Sequence, residues 1–203
     1  MQNDMPLSRM NINRFGAWIG KAMVKMMGWK VEGEFPDYPK SVVIVAHHTS
    51  NWDFVVGYPV SLIYRIKAYW VGKHTLFKKP FGGIMRWLGG IPLDRSSSRN
   101  FVDQIVQTFE KRKELLLVIA PEGTRKRVDK WKTGFYYIAK GAGVPIICAF
   151  IDYKRKVAGF GLVLKPGEDE AGDMNKIREF YRNVTGKIPE HVGDIIILPK
   201  GNA

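Results

Sequence analysis

Residues 41–53 read SVVIVAHHTSNWD, and this stretch decides the fold. Its first six residues, Ser41 to Ala46, form a short apolar run rich in β-branched valine and isoleucine. Pro36 and Pro39 break the chain before it and a polar stretch ends it, so the run predicts a strand. Polar residues do not alternate with the apolar ones, which places the strand inside a sheet covered on both faces. Leu115 to Ala120 (LLLVIA) and Val144 to Asp152 have the same character. Working outward, further strands are predicted at Lys67 to Gly72, Gly90 to Leu93 and Ile195 to Leu198. Helices are predicted at Asn51 to Tyr64, Phe81 to Leu88, Phe101 to Lys113, Trp131 to Gly141 and Met174 to Val184. Strands that alternate with helices predict an α/β fold. The expected architecture is a single layered domain with a largely buried mixed sheet flanked by helices, preceded by an N-terminal amphipathic helix.

That first helix is expected over Asn11 to Trp29. On a wheel of about 100° per residue, Ile12, Phe15, Trp18, Ile19, Ala22, Met23, Met26 and Met27 share one face. Arg14, Lys21 and Lys25 share the opposite face. A basic amphipathic helix either packs its apolar side on the domain or lies flat in a membrane interface. Residues 1–40 therefore divide from residues 41–203 as helix and connector from main domain.

A chain of 203 residues is long enough to bury a core as one domain, and its 45% hydrophobic and 25% charged composition is that of a globular protein. The formal charge of +13 draws it toward polyanions, whether nucleic acid, anionic lipid or acidic partners. The lone Cys148 excludes an internal disulfide and suits a reducing cytosol. No apolar run reaches the roughly 18 to 20 residues of a membrane span. Met1 to Arg9 also lacks the uncharged core of a signal peptide. The expectation is a cytoplasmic, peripheral protein.

The strand at Ser41 to Ala46 runs into His47-His48-Thr49-Ser50-Asn51-Trp52-Asp53. Strand carboxyl ends are where α/β sheets place ligands. On a straight helix, residues five apart differ by roughly 140° and cannot touch. His48 and Asp53 meet only if the chain turns between them. The carboxylate then fixes the imidazole tautomer and leaves the other ring nitrogen free to take a proton. The plain structural reading stands beside this one: Ser50-x-x-Asp53 as a capping box serving only the helix start. Two further elements follow strands. Ala120-Pro121-Glu122-Gly123-Thr124-Arg125 offers a close-approach glycine, a hydroxyl and a guanidinium fork, with Glu122 orienting Arg125 or binding a hydroxyl. Gly89-Gly90-Ile91-Pro92-Leu93-Asp94-Arg95 likewise ends in an arginine. Each also reads as an ordinary surface turn. Cys148 lies in the apolar VPIICAF run with no adjacent histidine, and is expected to be a core thiol.

Taken in order, these elements resemble the blocks of the glycerophospholipid acyltransferase superfamily, which includes the lysophosphatidate acyltransferases. His48 and Asp53 match its H-x4-D block. Gly89, Ile91, Pro92 and Arg95 match the second block, and Glu122 to Arg125 match E-G-T-R in full. Val144, Pro145 and Ile146 begin the fourth. The resemblance implies an O-acyltransferase moving a fatty-acyl group from acyl-CoA or acyl carrier protein to the hydroxyl of a lysolipid such as 1-acyl-glycerol-3-phosphate. His48 would be the general base and Asp53 its orienter, with no acyl-enzyme. Arg95, Glu122, Gly123, Thr124 and Arg125 would hold the acceptor. It implies no metal and no cofactor beyond the thioester co-substrate, and an anionic membrane surface as partner. Two other readings compete. One is a basic nucleic-acid binder using Lys111-Arg112-Lys113 and Lys154-Arg155-Lys156, although no nucleic-acid module is recognisable. The other is a thioesterase on the same fold. The expectation is an enzyme without a nucleic-acid partner.

Overall fold

The computed structural model describes residues 14–93 and 98–195. Of the predicted first helix, residues 11–13 lie outside this range, as do residues 94–97, including Arg95. Of the strand predicted at Ile195 to Leu198, only Ile195 is described.

The elements in chain order are α1 (Arg14–Met26), β1 (Lys30–Glu32), β2 (Lys40–Ala46), α2 (Trp52–Tyr64), β3 (Ala68–Lys73) and α3 (Gly82–Trp87). They continue as β4 (Gly90–Leu93), α4 (Ser98–Lys111), β5 (Leu115–Ile119), α5 (Gly134–Ala142), β6 (Ile146–Asp152), β7 (Val157–Leu164) and α6 (Glu170–Tyr181). All strands among the described residues join one seven-stranded sheet in the order β1-β7-β6-β2-β5-β3-β4. Every pairing is parallel except β6 with β7, so β1 and β7 run against the other five. The four-residue turn between β6 and β7 leaves no room for a crossover and forces this antiparallel pair. Two strands go beyond the sequence reading: the short β1, and β7. The predicted strand at Val144 starts two residues later, at Ile146. The predicted helix at Met174 begins earlier, at Glu170, where Asp169 caps it by accepting from Gly172 N–H at 2.9 Å.

The apolar runs take the central places because only there are both faces covered. Val42 and Ile44 of β2 bury against α4, α5 and α6 on one side. Val43, between them, buries against α1 and α2 on the other. Val42, Ile44, Leu117, Ile146 and Ile147 keep no exposed surface. Each such side chain contributes roughly 1.5–3 kcal/mol by leaving water. β4 carries Pro92, which cannot donate to a ladder, and β4 sits at the sheet edge where no donor is needed. Cys148 is fully buried, and burial pushes its thiol up to about 12, so it is a neutral core group.

Helix α1 packs on the domain, with only part of the wheel's apolar face turned toward it: Ile19, Met23 and Met27 are half-buried. Gly20 and Val24 are its buried residues. A Cβ on Gly20 would lie 2.7 Å from the Pro59 carbonyl oxygen of α2, so the glycine sets how closely the two helices approach. Phe15, Trp18 and Met26, on the apolar face of the wheel, point outward with 65%, 64% and 82% of their surface exposed.

Candidate active site

Parallel strands deliver their carboxyl ends to one edge of the sheet. β2 and β5 are neighbours with Ile44 opposite Ile119, so the residues that follow each strand emerge side by side. That register explains how His48 and Glu122, 74 positions apart, come into contact.

The turn needed to join His48 and Asp53 is present. His48 Nδ1 lies 2.9 Å from Asp53 Oδ2. A carboxylate only accepts, so Nδ1 carries the donated hydrogen, and in the neutral imidazole the lone pair is then on Nε2. The His48 side chain is 31% exposed and that of Asp53 only 6%. The imidazole is thus reachable while the carboxylate is sheltered. Asp53 Oδ2 also accepts from Ser50 N–H at 3.1 Å, and Ser50 Oγ accepts from Trp52 N–H at 3.2 Å. The capping role and the histidine contact therefore coexist on one carboxylate. Its other oxygen, Oδ1, accepts from the Tyr153 hydroxyl at 2.8 Å.

Tyr153 is the site residue that the sequence reading missed. It directly follows β6, at the same sheet edge as His48, and that position is the signal that could have found it. Burial first, then the Asp53 hydrogen bond and charge, hold its phenol well above the usual range. It stays protonated and donates. Losing a hydrogen bond to a charged group costs about 1.5–3 kcal/mol. Tyr153→Phe keeps the ring and removes only the donor, so kcat is expected to fall on the order of tenfold or more with KM unchanged. Steady-state kinetics on the variant check this, and a rise in KM alone would assign Tyr153 to substrate binding.

For Glu122 the sequence leaves two roles open, orienting Arg125 or binding a hydroxyl. It does not orient Arg125. Its Oε1 accepts from His48 N–H at 3.2 Å and lies 3.7 Å from His47 Nδ1, and the residue is buried. Its Oε2 is buried with no hydrogen-bond partner among the described residues. Gly123 follows with φ +68°, a left-handed turn that aims Glu122 inward and the next residues outward. Thr124 is exposed, its Oγ1 accepting from Lys126 N–H at 3.3 Å. Arg125 reaches instead to the Asn51 side-chain oxygen, beside the start of α2. Arg95, expected in the same cluster, lies outside the described residues.

The segment after α6 closes the site. Thr49 Oγ1 accepts from Ile188 N–H at 3.1 Å, and Thr185 O accepts from Tyr153 N–H at 2.9 Å. This segment carries Lys187, whose Nζ stands 4.3 Å above the Trp52 ring. With Arg125 it gives the rim a positive charge. Among the described residues, no group of three or more His, Cys, Asp and Glu side chains is placed to hold a metal ion.

At the carboxyl edge of this α/β sheet a buried carboxylate fixes one histidine, beside a second buried carboxylate and a cationic rim. The acyltransferase family model matches residues 29–152, and the chain belongs to that family. The 1-acyl-sn-glycerol-3-phosphate acyltransferase of Haemophilus influenzae is 32% identical over 147 residues, 68% of this chain and 59% of the relative. The Escherichia coli protein of the same name is 32% identical over 152 residues, 70% of this chain and 60% of the relative. The chain thus matches less than two thirds of these relatives' length. The crystal structure of the 1-acyl-sn-glycerophosphate acyltransferase PlsC from Thermotoga maritima shares the fold. Its TM-score is 0.54 at 19% identity, covering 82% of this chain and 75% of that one.

Proposed function

We propose that this chain is an O-acyltransferase that moves a fatty-acyl group from acyl-CoA or acyl carrier protein to the free hydroxyl of a lysophosphatidate-type acceptor. The observation that carries the reading is the 2.9 Å contact between His48 Nδ1 and Asp53. His48 Nε2 takes the acceptor's hydroxyl proton as its oxygen attacks the thioester carbonyl. The tetrahedral intermediate then expels the thiolate, which recovers that proton from the imidazolium. Asp53 keeps the tautomer and stabilises the cation while it lasts. No acyl-enzyme forms. The unpartnered Glu122 Oε2 is suited to accept a hydrogen bond from an acceptor hydroxyl, and Arg125 and Arg95 are suited to grip a phosphate as planar forks. The relatives' names supply the phosphate-bearing acceptor.

The test is thioester consumption by the purified chain across a panel of lysolipids. Acceptance of lysophosphatidate, with little consumption in its absence, is the expected result. Equal consumption without any acceptor would make the chain a thioesterase.

A lipid acceptor places the protein at an anionic membrane surface, on the cytoplasmic side in this reading. Among the described residues no helix is long and apolar enough to cross a membrane. Exposed Phe15, Trp18 and Met26 on α1 and exposed Trp52 and Phe54 on α2 are suited to insert at the interface. Changing Phe15 and Trp18 together to serine removes apolar surface that the fold does not bury. Affinity for anionic vesicles is expected to fall about tenfold or more with melting temperature unchanged. Cosedimentation measures the first and calorimetry the second; unchanged cosedimentation would remove α1 from the docking surface.

A further inference from the structure

A groove of about 450 Å³ lies between the end of α1 and the start of β1. Val24, Trp29 and Ile63 give it an apolar floor, and Lys21, Lys25 and Lys30 stand around it. A fourth lysine reaches the same place: Lys156 Nζ lies 3.9 Å from where a Cβ on Gly28 would be. Among the described residues none of these four lysines forms an ion pair, while the nearby acids Glu32 and Asp152 are both held by Arg155. The positive charge around the apolar floor is therefore uncompensated.

Lys156 is also held in an unfavourable backbone conformation. Its φ is +53°, in the left-handed region that a residue with a Cβ rarely adopts, and its carbonyl accepts from Lys30 N–H at 2.9 Å. Glycine or asparagine suits such a position better. A lysine there costs stability and adds a fourth charge to the groove, the pattern of a strained residue serving a ligand.

The groove faces the active-site edge. β1 and β7 run against β2, so their starts, at Lys30 and Val157, lie at the edge where β2 ends and His48 follows. Trp29, on the groove floor, packs edge-on at 5.0 Å against Tyr153, whose hydroxyl holds Asp53.

We propose that this groove binds one anionic phospholipid of the bilayer, with its phosphate among the lysines and the adjoining chain on the apolar floor. A free inorganic anion would leave that floor in water, whereas an amphiphile covers it and meets the charge together. The bound lipid would fix the active-site edge toward the membrane. The inference rests on the membrane-surface reading above.

The test uses the full chain and monomeric dihexanoylphosphatidylglycerol, titrated calorimetrically with no thioester or acceptor present, so it stands apart from the acyl-transfer reading. Saturable one-to-one binding is expected. Changing Lys25, Lys30 and Lys156 together to glutamine should weaken it about a hundredfold. A control changing Lys111, Lys113 and Lys165 to glutamine removes the same charge and should bind like the parent. Lys156→Gly should melt no lower than the parent and bind about fivefold more weakly, which separates lost charge from lost folding. Dihexanoylphosphatidylcholine should bind at least about tenfold more weakly than the glycerol lipid. Unchanged affinity in the groove variants, equal loss in the control, or equal binding of the choline lipid or of inorganic phosphate would each overturn the proposal.

Discussion

His48→Ala is expected to abolish acyl transfer while leaving the protein folded. The acceptor hydroxyl is a poor nucleophile until its proton is drawn off, and in the proposed mechanism His48 Nε2 draws it off. General-base assistance is worth about 10² to 10⁴ in rate. Removing the imidazole also removes the cation that returns the proton to the leaving thiolate. Both halves of the reaction therefore slow, and turnover is expected to fall below about one part in 10⁴. The side chain is partly exposed and lies in a loop outside the core clusters, so circular dichroism and melting temperature should stay near those of the parent. Near-normal turnover in the folded variant would remove His48 from the mechanism.

Asp53→Asn is expected to lower kcat by about 10² to 10⁴. The amide fills the same space, but it can present an N–H where the carboxylate presented only acceptors. An asparagine that donates to Nδ1 puts the imidazole hydrogen on Nε2, where it blocks proton abstraction. The change also leaves two other donors, Ser50 N–H and the Tyr153 hydroxyl, competing for one remaining oxygen. Some loss of stability, about 1–3 kcal/mol, should accompany the kinetic loss, because Asp53 is buried. Rapid-quench measurement of the chemical step separates the two effects. A kcat within threefold of the parent would reduce Asp53 to a helix-start residue.

The legible part of the fold was the part that physics writes locally. Continuous apolar runs marked β2, β5 and β6 because central parallel strands must be apolar on both faces. β7 was hidden because Gly159 and Gly161 interrupt its apolar pattern, and β1 because three residues carry no period. The wheel found α1 but could not say which side packs on the domain. A glycine adds nothing to a hydrophobic stripe, yet Gly20 permits the closest approach and so decides which side packs.

The candidate site divides in the same way. Six residues of local sequence were enough to suggest the His48 and Asp53 contact, because one turn brings them together. Tyr153 is 100 positions from Asp53, and only the placement of β6 beside β2 joins them. Glu122 lies beside His48, and of the two roles the sequence left open it does not take that of orienting Arg125. A glycine at positive φ turned it inward to His48 and sent Arg125 outward to Asn51.

The most direct test of the account is a single-turnover reaction with enzyme in excess over a long-chain acyl thioester, in the presence of lysophosphatidate, with lipid products and intact protein followed together by mass spectrometry. Direct attack assisted by His48 predicts that the diacyl ester appears as fast as the thioester disappears, with no acylated protein at any time. An acyl adduct on the protein that forms before the ester, or free fatty acid in place of the ester, would contradict it.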